Sequence, residues 1–95
     1  MSKLFIQHQD DGPKGSFYYA VDGVPKAQMF YVWAGNQKLI IDHTEVDPSL
    51  RGQGVGEALL EQIVAYARTK GVKILPLCPF ANAQFKKHPE YQDVL

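Results

Sequence analysis

An arginine and two glycines at fixed spacing, Arg51-x-x-Gly54-x-Gly56, are the residues of this 95-residue chain with the plainest chemical use. They lie between a run that reads as a strand and one that reads as a helix. Glycines at such a turn remove Cβ atoms from the backbone. The N–H groups of Gln53, Gly54, Val55, Gly56 and Glu57 then point outward at the positive end of a helix, which is a cradle for phosphate. Arg51 can add a charged contact. An ordinary helix-start turn would not require two alternate glycines after an arginine. Two nucleotide loops are excluded. A Walker A loop needs Lys-Ser/Thr after its last glycine, and Glu57-Ala58 stands there instead. A dinucleotide fingerprint needs Gly-x-Gly-x-x-Gly. Gly52 and Gly54 match it, but Glu57 holds the third place and no βαβ unit precedes it.

The elements that must position this loop follow from periodicity. Lys3 to His8 reads as an edge strand, ended by the turn formers Gln9 to Gly15. Ser16 to Val21 carries Phe17-Tyr18-Tyr19, which suits a pleated sheet. Asp22-Gly23 signals a hairpin. Lys26 to Ala34 is the third strand, Gly35-Asn36 a second hairpin, and Leu39 to Val46 the fourth strand. In the third strand Phe30 and Val32 are expected in the core. Tyr31 and Trp33 then project to the opposite face, where they can line a pocket. From Val55 the period changes: Val55, Leu59, Leu60, Ile63, Val64 and Ala67 share one helix face. Gly71 ends that helix in the left-handed region. Lys73 to Leu77 is a fifth strand, parallel to the fourth because a helix connects them. Pro76 inside it implies a bulge or an unpaired position. Pro79 opens a short helix through Phe80, Ala81, Gln84 and Phe85. The class is therefore α/β (α+β), with residues 1–95 forming a single small domain.

Composition narrows the partners. Ten Lys and Arg balance ten Asp and Glu, which argues against a general nucleic-acid binder. A single cysteine, Cys78, excludes an intrachain disulfide and a cysteine-based metal cluster, and no metal site is expected. The first residues contain no long apolar run. Neither a secretory signal nor a membrane span is expected, and the default setting is the cytoplasm.

The segments His43-Thr44-Glu45-Val46, Arg51-Gly52-Gln53-Gly54-Val55-Gly56 and Leu77-Cys78-Pro79-Phe80-Ala81, in that strand and helix order, resemble the GCN5-related N-acetyltransferase superfamily. They come closest to its branch of very small domains. The resemblance spans nearly the whole chain. It implies a four-stranded antiparallel meander, a crossover helix, a fifth strand parallel to the fourth and a short C-terminal helix. It also implies acetyl-CoA or CoA as the bound cofactor and an amine as acceptor. The loop Arg51, Gly52, Gln53, Gly54, Val55, Gly56, Glu57 would take the pyrophosphate. The backbone of Thr44, Glu45 and Val46 would pair with the pantetheine amides. The fourth and fifth strands would splay, with Cys78 facing the thioester.

Larger relatives often carry Asn after the fifth strand, Ala three residues on and Tyr four beyond that. Here Cys78, Ala81 and Phe85 take those places. The phenol that commonly protonates the departing thiolate is then missing. Cys78 is the leading catalytic candidate: just before Pro79 and a helix, it can accept the acetyl group as a thiolate or donate a proton as a thiol. The commoner fate of a free cysteine is a small buried hydrophobe. His43 is the second candidate, a neutral imidazole able to deprotonate an amine, against a hydrogen-bonded sheet histidine. Glu45 shares the face of His43 and can orient it or bind a cationic amine; otherwise it is a solvated strand carboxylate. His8 and His88 read as surface residues, and Lys86 and Lys87 as a solvated helix end. Only Gln9 to Gly15 joins the first two strands, so the acceptor site is expected to be shallow and open, suited to an amine on a macromolecule. The alternative is a CoA-binding module or sensor that keeps the loop without turnover.

Overall fold

Asp22 and Gly23 take positive φ angles, 53° and 79°, the left-handed pair that a two-residue hairpin turn needs. They join β2 (Lys14–Val21) to β3 (Val24–Ala34). A second turn at Gly35, φ 69°, leads into β4 (Lys38–Val46). The computed structural model describes residues 4–95. The edge strand, β1 (Gln7–Asp10), lies later than expected. Asp10 still pairs with Gly15, and Asp11 N–H closes the turn on the Lys14 carbonyl at 2.9 Å. Of the expected span 3–8, Lys3 lies outside the described residues. The helix α1 (Val55–Lys70), the strand β5 (Lys73–Pro76) and the helix α2 (Pro79–Lys87) follow. A 3-10 turn, Pro89–Val94, ends the chain.

Among the described residues the sheet has five strands in sequence order. The pairs β1–β2, β2–β3 and β3–β4 are antiparallel, and β4–β5 is parallel. The expected α/β arrangement is thus the observed one. Gly71 caps α1 with φ 70°. Its N–H bonds the Arg68 carbonyl and that of Val72 bonds Ala67, the double closure that a left-handed glycine allows. Arg68 clamps the terminal turn, donating to both Asp93 carboxylate oxygens at 3.0 and 2.7 Å and to the Glu90 carbonyl at 2.8 Å.

The predicted face of α1 (Val55, Leu59, Leu60, Ile63, Val64, Ala67) is buried throughout. It rests on Phe17, Met29, Tyr31, Leu39, Ile41 and Ile74. Each fully buried Val, Leu, Ile, Met or Phe among them contributes about 1.5–3 kcal/mol. The face of β3 differs from expectation. Met29 and Tyr31 are 0% and 1% exposed, whereas Phe30 and Val32 are half-buried on the other side. Trp33 is partly buried and packs against the core cluster. Tyr31 fits inside because its hydroxyl reaches the sheet edge and meets His8 Nε2 at 2.5 Å. Gly15 makes that room: a Cβ there would lie 2.5 Å from the Tyr31 hydroxyl oxygen.

Two irregularities in β4 shape everything that follows. The register with β3 passes from Tyr31↔Ile41 to Phe30↔His43, so Asp42 is an extra, bulged residue. The pairing with β5 stops at Ile41↔Pro76. The N–H groups of Leu77 and Cys78 both bond the Ile41 carbonyl, at 3.1 and 3.0 Å. Beyond that point β4 runs on to Val46 without β5, and the sheet forks.

Candidate functional site

The chain from β4 to α1 is a chain of small closures. Asp47 caps a 3-10 turn, Pro48–Leu50, by accepting the Ser49 N–H at 2.9 Å. Those hydrogen bonds from Ser49 hold the Asp47 carboxyl below the usual carboxylate range. Leu50 is buried and anchors the turn. Gly52 and Gly54 then take φ angles of 81° and 73°, which L side chains resist. The first hydrogen bond of α1 is Ala58 N–H to the Gly54 carbonyl, 3.0 Å. The N–H groups of Val55, Gly56 and Glu57 therefore precede the helical ladder. Gly54, the N-cap, has no side chain to satisfy them. The Gln53 N–H is already used within the turn, on the Leu50 carbonyl at 3.2 Å.

The two alternate glycines do different work. Nothing lies within 4 Å of a Cβ built on Gly54, so its role is the left-handed backbone and an open approach. A Cβ on Gly56 would sit 2.2 Å from the tip of the Phe80 ring. Gly56 is thus needed for α2 to pack against the first turn of α1, a contact within the protein.

Between loop and fork lies a cleft of about 440 Å³. Its walls are Thr44, Val46, Asp47, Leu50, Arg51, Gly52, Gly54, Val55, Gly56, Glu57, Phe80 and Gln84. Of the residues expected to hold a cofactor, Glu45 and Gln53 are not among them. Strand alternation explains Glu45. Asp47 N–H bonds the Lys26 carbonyl, so the N–H groups of Asp47, Glu45 and His43 face β3. Those of Thr44 and Val46 face the cleft, along the stretch that β5 has left.

Sequence reasoning missed Phe80 and Gln84 as wall residues. Gln84 is 8% exposed, and its Oε1 has no hydrogen-bond partner among the described residues. A polar residue in phase with buried Ala81 and Phe85 was the available signal. An acceptor buried without a partner is costly, about 1–3 kcal/mol. Bare N–H groups at one end of the cleft, free backbone along β4 and an unpartnered carbonyl in the wall all suit a long, polar, phosphate-bearing ligand.

Cys78 is 5% exposed and caps the start of α2. Its Sγ lies 3.3 Å from Thr44 Oγ1, donating across the fork. His43 and Glu45 lie on the other face of β4. His43 Nε2 is 2.9 Å from Glu45 Oε2, and its ring stacks on Phe30 at 5.9 Å between centroids. The bulge at Asp42 causes this separation: one extra residue flips every later side chain to the other face. His43 and Glu45 border a hollow of about 330 Å³ with Lys14, Gly15, Phe30, Tyr31, Val32 and Asp42.

The other two histidines are more engaged than expected. His8 lies flat on Phe17, with centroids 4.2 Å apart and planes 4° from parallel. Burial lowers its pKa, partly opposed by Asp10. His88 approaches Glu57 at 3.5 Å and Glu90 at 3.1 Å. Lys86 and Lys87 are exposed, as expected.

The profile described as GCN5-related N-acetyl-transferase matches residues 16–94. The NMR solution structure of a GCN5-like protein from Staphylococcus aureus aligns at 38% identity and a TM-score of 0.74, covering 99% of this chain and 89% of that one. A ribosomal-protein-alanine N-acetyltransferase from Brucella melitensis aligns at 18% identity and a TM-score of 0.68, over 81% of this chain and 62% of its own. This chain therefore spans less than two thirds of that enzyme. The aminoglycoside N-acetyltransferase AAC(6′)-Iy, solved with CoA, aligns at 20% identity and a TM-score of 0.57, over 84% and 67%. At such identities the last two are likenesses of fold. No curated protein gave a significant match.

Proposed function

Because the chain belongs to the GCN5-related N-acetyltransferase family, we propose that it transfers the acetyl group of acetyl-CoA to an amine. The observation that carries this reading is the cleft between the α1 N-terminus and the forked strands. The N–H groups of Val55, Gly56 and Glu57, with the Arg51 side chain, would hold the pyrophosphate. The backbone of Thr44 and Val46 would pair with the amides of the pantetheine arm, as a β5 strand would otherwise have done. Cys78 and Thr44 would then meet the thioester at the fork.

The amine nitrogen attacks the thioester carbonyl carbon, a C–N bond forms, and the C–S bond breaks. One proton leaves the amine and one must reach the departing thiolate. His43 is suited to take the first, with Glu45 at 2.9 Å holding its ring and balancing the charge it gains. The two lie on the face of β4 opposite the one that carries Thr44, so acceptor and thioester would arrive from opposite sides of the sheet. Cys78 is suited to supply the second proton, or to carry the acetyl group itself. The hollow beside His43 is open, which suits an amine displayed on a macromolecule.

A second reading, a CoA-binding module without turnover, is favoured by one observation. Phe85, in the register where relatives often carry a phenol, is 2% exposed and has no hydroxyl.

Intact-mass analysis after mixing with acetyl-CoA, with and without a panel of amines, separates the readings. Acetylated amine formed in proportion to enzyme turnover supports transfer. An acetyl adduct on the protein that Cys78→Ala abolishes supports the covalent role. Tight CoA binding with no product on any amine leaves the binding module. Full activity in Cys78→Ala removes the cysteine from the chemistry.

A further inference from the structure

We propose that Gln84 is a ligand-reading residue of the cleft, its Oε1 accepting an amide N–H from the pantetheine arm of CoA. This rests on the reading of the cleft as a CoA site. The starting point is an anomaly of the free protein. Gln84 is 8% exposed and lies in the cleft wall, and its Oε1, closed off from solvent in the free protein, has no hydrogen-bond donor among the described residues, so the amide turns to meet a ligand. Buried side-chain oxygens nearly always have a partner, protein or otherwise. Leucine or methionine would fill the same space on this face of α2 without that penalty, beside buried Ala81 and Phe85.

The helix is held where it can deliver this group. Phe80, one turn before Gln84, seats its ring in the space left by the absent Cβ of Gly56. That contact fixes α2 against the first turn of α1, where Val55, Gly56 and Glu57 present bare N–H groups. The two features are independent: one is a row of donors for an anion, the other a lone acceptor for a neutral N–H. A phosphate has no N–H to offer, so Oε1 is matched to a different part of the ligand. Gln84 is six residues after Cys78, about 9 Å along the α2 axis. In pantetheine the second amide nitrogen is seven bonds from the sulfur, a similar extended reach of roughly 9 Å. A sulfur beside Cys78 and an amide beside Gln84 are therefore compatible in scale.

The test compares two ligands by calorimetric titration of wild-type protein, Gln84→Leu and Gln84→Met. CoA carries the arm; adenosine 3′-phosphate 5′-diphosphate carries the phosphates without it. Expected is a fall of about tenfold in CoA affinity in both variants, the effect of one good hydrogen bond, with adenosine 3′-phosphate 5′-diphosphate binding unchanged. The melting temperature of ligand-free Gln84→Leu should be equal to or above that of the wild type, because the orphaned oxygen is gone. Equal losses for the two ligands, or no loss for either, would overturn the role of Gln84. A lower melting temperature in both variants would also overturn it, since Gln84 would then be a structural residue. Failure of wild-type protein to bind either ligand would instead sink the CoA reading of the cleft.

Discussion

Phe80 and Gly56 touch across the joint between α1 and α2, so closely that a Cβ on Gly56 would lie 2.2 Å from the ring. This contact makes the glycine loop at the start of α1 and the C-terminal helix one unit. Gly56→Ala should displace the ring and cost about 1–3 kcal/mol, the usual range for overpacking. Thermal unfolding should show a clearly lowered Tm, and CoA titration a weakened affinity. A variant with unchanged Tm would mean that Phe80 moves aside freely.

Gly54 should behave differently, although it is two residues away. No atom crowds it, but its φ of 73° disfavours any side chain. Gly54→Ala should cost about 1 kcal/mol through backbone strain. Gly54→Val should keep a folded core by circular dichroism and lose CoA binding. Normal CoA binding in Gly54→Val would refute the phosphate-loop reading.

His43 and Glu45 lie on the opposite face of β4 from the cleft, so the proposed base and the proposed cofactor site can be tested separately. His43→Gln should lower kcat by about 10²–10⁴, the usual contribution of a positioned base. The Kd for acetyl-CoA should stay within twofold, roughly an effect too small for a lost contact. Glu45→Gln should lower kcat less, because its proposed role is to hold the His43 ring. Parallel losses of kcat and acetyl-CoA affinity would contradict this division.

His8 makes stability depend on pH. Its neutral Nε2 meets the Tyr31 hydroxyl, and burial lowers its pKa below the ordinary value of 6.5. The unfolded chain therefore takes up a proton at higher pH than the folded one. Stability from the neutral ring is present above pH 6.5 and is lost as pH falls through the folded pKa. Tm should drop between pH 7 and pH 5, roughly the range in which histidine titrates. In His8→Phe that slope should be shallower. An identical slope in the variant would assign the pH response to other groups.

Local chemistry accounts for what could be read from the residues in order. Spacings of three and four between Val55 and Ala67 can only describe one helix face. Gly71 and Asp22-Gly23 are read from backbone sterics that act within a few residues. The Arg51–Gly56 turn is equally local, since a helix N-terminus exposes its N–H groups whatever surrounds it. A helix between Val46 and Lys73 makes the fifth strand parallel by simple direction.

Tertiary structure decided the rest, because a strand has two faces and its sequence does not say which one a distant helix will cover. In β3 both alternating sets were apolar, and α1 settled the choice for Met29 and Tyr31, with Gly15 and His8 accommodating the hydroxyl. The bulge at Asp42 depends on how two strands pair, and no single residue announces it. It set Thr44 rather than His43 against Cys78. The separate work of Gly54 and Gly56 likewise depends on Phe80, which lies far along the chain and arrives only when α2 packs. The same packing buries Gln84 in the cleft wall. Backbone geometry is short-range and legible in sequence; which surfaces meet is a long-range outcome of burial, and the candidate site is built where they do.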